Sequence, residues 1–142
     1  MKNLLHIIGK VLLSLILSMP ILGTLGVFPP PTPDLYNTAL AFAFIEVLME
    51  VGYINYMMSA VHVIALVALW SGREALAALI ITPITANVVG FHLFIDGGLL
   101  TGGALLGNIM LALNLYLLWI NRQAYESLWV RSRPLPNQPE LA

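Results

Sequence analysis

Few side chains in this sequence can do chemistry, and their spacing singles out one pair. Asp96 follows His92 by one helical turn, so an imidazole and a carboxylate share a helix face or helix end. A carboxylate in that position orients the ring, which can then bind a quinone oxygen or pass a proton. The plainer reading is a neutral histidine bonded to Asn87 or a backbone carbonyl, locking two helices together. His62 stands in the middle of an apolar run, either as a functional midplane group or as a neutral imidazole paired with Asn114. Asn87, Asn108 and Asn114 read as interhelical hydrogen-bonding residues before they read as ligands. If these faces converge, His62, Asn87, His92, Asp96, Asn108 and Asn114 form one polar pocket, open outward and closed towards the cytoplasm. No metal site is expected. The chain has no cysteine, and His62 and His92 differ too much in depth to ligate one haem. No phosphate-binding loop, dinucleotide fingerprint or nucleophile elbow is present.

The elements that must position these groups follow from composition. Apolar residue types make up 59% of the 142 residues and charged types 9%, against roughly 45–50% and about 25% in soluble domains. A water-soluble globule is excluded on that ground, and a net charge of −1 gives no reason to expect a nucleic-acid partner. The charges that do occur leave four uncharged intervals, residues 11–33, 51–72, 75–95 and 97–121. Each is long enough to span a bilayer as a helix, which takes about 20 residues. The reading is therefore an all-α integral membrane four-helix bundle. Its helices are expected at about 4–27, 52–70, 75–94 and 103–121. The first ends ahead of Pro29, Pro30, Pro31 and Pro33 and carries Lys10 as a snorkelling side chain. It is read as a retained helix, since no small-residue cleavage site of the signal-peptide kind follows it.

Residues 35–50 are apolar yet carry Glu46 and Glu50 one turn apart. Leu40, Phe44, Val47 and Val51 fall together on a helical wheel, about a quarter turn or more from the two glutamates, which predicts a short interfacial helix in the outer loop. The competing reading is one long, tilted second helix that starts near Leu35 and buries both glutamates. All six lysines and arginines fall on one side of this arrangement, while Asp34, Glu46, Glu50 and Asp96 fall on the other. The positive-inside rule then places both termini in the cytoplasm. Residues 1–130 form the transmembrane domain on this reading, and the Pro-rich segment 131–142 is a cytoplasmic extension. Gly103 and Gly107 make a small-residue pair that permits close helix approach.

An ordered set of short motifs carries a family resemblance. Gly52-Tyr53 opens an apolar helix, followed by Arg73, Thr82-Pro83, the run Asn87-Val88-Val89-Gly90-Phe91-His92-Leu93-Phe94, the turn Gly97-Gly98, and Leu113-Asn114-Leu115-Tyr116-Leu117-Leu118-Trp119. From about Ile7 to Trp129 the chain resembles the DoxX-like family. The resemblance implies a four-helix protein of a bacterial or archaeal cytoplasmic membrane. Some relatives are associated with quinone-linked oxidoreductases. It further implies membrane lipid and other membrane-protein subunits as partners, no covalently held cofactor, and a quinone or lipid as a ligand. One departure stands out: the region Met19 to Gly26 has no lysine, and Ser59 and His62 occupy positions where relatives carry charges. The expected role is accordingly a small accessory subunit of a redox or quinone-linked complex, not an enzyme by itself. A membrane oxidoreductase component with its own quinone or sulfur-compound site is the alternative. Small-solute transport comes third, because no inverted repeat is visible.

Overall fold

The structure, a computed structural model, describes residues 2–128. The Pro-rich segment 131–142, with Arg131 and Arg133, and Trp129 lie outside the described residues. All regular structure among the described residues is helical, without strands: α1 (Lys2–Thr24), α2 (Ala39–Val51), α3 (Tyr53–Trp70), α4 (Glu74–Phe94) and α5 (Ala104–Ile120). Short 3-10 segments occupy Pro33–Leu35 and Arg122–Leu128. Helices α1, α3 and α4 are each long and apolar enough to cross a membrane, and α5 becomes a fourth when joined to Arg122–Leu128 across a 71° bend. Their outward faces carry exposed apolar side chains such as Leu15, Ile64, Val67, Leu105 and Leu115. In water such surfaces associate, whereas lipid solvates them, and a helix satisfies its own backbone there.

Helix ends follow from local chemistry. Gly26 takes a positive φ of 74° and Val27 N–H caps Leu22 O at 3.0 Å, so α1 stops at Thr24, short of the expected Val27. Helix α2 begins at Ala39 and not at Leu35. Thr38 is its N-cap, accepting from Ala41 N–H at 3.0 Å, and the preceding Pro33–Leu35 is a separate turn. Gly52, at φ 70°, then breaks the chain between α2 and α3. One continuous second helix therefore does not form, and Glu46 and Glu50 are exposed on α2 instead of buried.

Packing runs in chain order. Helix α3 lies between α1 and α4, α4 packs on α5, and α5 returns lightly to α1, while α2 leans on the start of α3. The core holds Leu13, Leu17, Leu69, Ile81, Met110 and Leu117. Ala65, Ala68, Ala77 and Ala78 are buried among them and let α3 and α4 approach closely. Because the four long helices alternate in direction, Lys10, Arg73 and Arg122 collect at one end, and Asp34 and Asp96 at the other.

The Lys10 ammonium reaches towards the cationic end, where it pairs with Glu74 at 2.8 Å, at the start of α4, and lies 4.8 Å from the Trp70 ring centre. His6 joins the same carboxylate at 3.0 Å. A charged clasp thus ties α1 to α4 at the cationic end.

Candidate functional site

The acidic end is organised around Asp96. This carboxylate is 1% exposed and sits just past α4, where Gly97 and Gly98 turn the chain with φ of 86° and 107°. It accepts from Asn37 N–H at 2.8 Å, from the Asn37 amide at 3.3 Å and from His92 Nδ1 at 3.0 Å. Burial alone would push the carboxyl up. The donors on Asn37 and His92 outweigh it and hold the group below the ordinary carboxylate range. Thr38 adds a second tie, giving its hydroxyl hydrogen to Ile95 O at 2.6 Å. The loop ahead of α2 is thereby fastened to the end of α4.

His92 is seated by two glycines. A Cβ on Gly103 would lie 3.4 Å from His92 Cε1 and from Asp96 Oδ2, and one on Gly107 would lie 3.6 Å from His92 Cδ2. Because an ionised carboxylate only accepts, Nδ1 carries the ring proton, and in the neutral ring Nε2 presents a lone pair. Nε2 bonds to none of the described residues. No buried side-chain nitrogen or oxygen among them lacks a partner, so Nε2 is not sealed off.

His92 is also among the residues lining a cavity of about 1050 Å³ between α2, the start of α3 and α4, although its ring packs against α5, which does not line that space. Aromatic groups dominate its outer wall, with the Phe44 and Phe91 rings 5.8 Å apart and Tyr36 edge-on to Phe91 at 6.4 Å. Burial and the nearby Asp96 charge push the Tyr36 phenol up, keeping it a neutral hydroxyl. Asn87 also lines this space, with its amide donating to Pro83 O at 2.9 Å.

Of the six residues expected in one pocket, the structure brings His92 and Asn87 to the cavity and places Asp96 directly behind His92. The other three are elsewhere. His62 is buried and bonds Met58 O in its own helix at 2.6 Å, not Asn114. Asn114 clasps α4, donating to Ala78 O at 2.9 Å and accepting from Thr82 at 3.1 Å. Asn108 fastens the connecting loop through Leu99 O at 2.7 Å. The single convergent pocket is therefore not formed. In apolar surroundings each polar side chain takes a nearby backbone carbonyl, often one turn back, in preference to a distant side chain.

Asn37 and Thr38 were not among the expected site residues. Thr38 was findable as a capping residue ahead of an apolar helical run. Asn37 carried no such signal, since its partner lies 59 positions away. No group of three or more metal-ligating side chains occurs among the described residues. No protein-family model, no curated protein and no solved structure matches the chain.

Proposed function

We propose that the chain is a multi-pass membrane protein of DoxX-like type, a four-helix bundle with both termini on the cytoplasmic side. Its role is that of a small accessory subunit in a redox or quinone-linked complex of a bacterial or archaeal membrane. The observation that carries this reading is how the polar groups inside the helices are used. His62 and Asn114 are committed to backbone carbonyls, and Asn108 to a loop, which leaves no assembled set of catalytic groups at the middle of the bundle among the described residues. Of the three, Asn114 joins two helices, as polar side chains do in lipid. A subunit of this kind contributes membrane-embedded surface to its partners.

Gentle extraction followed by native electrophoresis tests the proposal. The expected result is a band well above any oligomer of this chain, carrying the absorbance of a flavin, haem or iron–sulfur partner. Migration as the free chain or a homo-oligomer, with no redox-active partner, overturns it.

A second reading is favoured by the cavity beside His92. There the chain holds its own ligand, a quinone or another apolar molecule. The size of the space and its apolar, aromatic lining, with Asn87 and Tyr36 as polar members, support that reading.

A further inference from the structure

The cavity is a groove of definite depth. Along α4 its lining runs from Pro83 to Ile95, about 18 Å at the rise of an α-helix, and Ile95 stands at the acidic end of the bundle. Half the hydrocarbon thickness of a bilayer is about 15 Å. The groove therefore runs through one leaflet and stops near the midplane.

It opens sideways. Pro83, Ala86, Asn87, Gly90 and Phe94 line it at spacings of three and four, which puts them on one face of α4, and all but Gly90 are exposed. A Cβ on Gly90 would meet nothing within 4 Å. The amide on this face is already used, donating to Pro83 O at 2.9 Å. Helix α2 supplies Phe44, Ile45 and Leu48 to the lining, while Glu46 and Glu50 fall on its other side and are exposed.

Length, width and charge each exclude occupants. A partner's transmembrane helix crosses both leaflets and needs a cross-section of roughly 80–110 Å² for a diameter of 10–12 Å. The groove's volume over its length gives only about 58 Å². Hydrocarbon chains are narrower and end at the midplane. No Asp, Glu, Lys or Arg lines the groove, so the buried part of its occupant is uncharged. Where the groove meets the acidic end the field is one-signed: Asp34, Glu46 and Glu50 are exposed there, and no lysine or arginine occurs between Val11 and Gly72 or between Glu74 and Asn121. That field repels an anionic head group and attracts one that carries an ammonium.

We infer that the groove seats the acyl chains of one phospholipid from the leaflet on the acidic side, and that it selects a zwitterionic head group over an anionic one. The inference rests on the second reading above, that the chain holds its own ligand.

The test reconstitutes the full chain into vesicles of equal phosphatidylethanolamine and phosphatidylglycerol containing decylubiquinone, re-extracts it in mild detergent, and identifies what it retains by native mass spectrometry. One phospholipid per chain is expected, phosphatidylethanolamine over phosphatidylglycerol by about fivefold, the effect of roughly one unit charge near the membrane surface. Gly90→Phe, whose Cβ enters open space, is expected to lose the lipid, and Leu115→Phe, on the exposed face of α5, to keep it. Should Gly90→Phe fail to fold, Ala86→Phe on the same face replaces it. Phosphatidylglycerol retained equally or better overturns the inference. Decylubiquinone retained in place of phospholipid, and lost in Gly90→Phe, overturns it while leaving the second reading standing. Nothing retained, or retention unchanged by filling the groove, overturns both.

Discussion

Asp96 is a buried charge whose hydrogen bonds come from two elements: the backbone and amide of Asn37 in the loop ahead of α2, and the ring of His92 in the last turn of α4. Because its carboxyl is held below the ordinary value of about 3.9, its linkage to pH has a definite sign. The stabilisation is complete above the unfolded value and is lost as pH falls through the lower, folded value. Asp96→Asn presents an amide to groups that are themselves donors, and is expected to lower stability by about 2 kcal/mol at neutral pH. Melting curves in detergent check this. The gap between variant and wild type should close as pH drops below about 4, and a gap independent of pH would count against an ionised Asp96. The His92–Asp96 pair was legible in the sequence because both partners lie on one helical turn, a distance that local geometry sets. Asn37, and the separation of His62 from Asn114, were not legible, since which carbonyl a polar group finds depends on how the helices are packed.

At the scale of elements, the approach of α5 to α4 depends on Gly107. A Cβ there would stand 3.0 Å from Val88 Cγ1, whereas one on Gly102 would meet nothing within 4 Å. Gly107→Ala is therefore expected to destabilise the bundle by about 1–2 kcal/mol through overpacking, and Gly102→Ala by less than about 0.5 kcal/mol. Thermal unfolding of the two variants side by side checks the contrast, and equal effects would show that α5 does not seat on α4 through that glycine. The small-residue pair was visible beforehand as a packing signal. That its occupant is the His92 ring was not, because spacing within α5 says nothing about which residue of α4 faces it. Helix α2 teaches the same lesson at its start. Its apolar periodicity reaches back to Leu35, but the Thr38 cap and the turn at Pro33–Leu35 hold the first residues out of the helix. Its end was marked by Gly52, whose positive φ is a conformation glycine adopts without strain.

For the whole molecule, the separation of charge between ends yields a prediction about orientation. Lys10, Arg73 and Arg122 gather at one end, and the exposed Asp34 lies in the loop at the other. The wild-type chain has no cysteine, so Asp34→Cys is a single reactive site. With both termini in the cytoplasm, an impermeant thiol reagent should label it in intact cells, and labelling only after lysis would reverse the proposed orientation. The long apolar intervals, the turns between them and the segregation of charge were all determined by the sequence alone. Each is a one-dimensional property: a helix in an apolar medium must satisfy its own backbone, and a run without charge is what permits that. The neighbours of each polar side chain were decided only by the tertiary structure. The order in which α1, α3, α4 and α5 pack, and the rotation of each about its axis, turned six candidate residues into one cavity edge with a carboxylate bonded to it, one interhelical clasp, one bond within a helix and a loop fastener. Helix rotation is set by how side chains of different size interlock across several helices at once, and no single stretch of sequence contains that contact.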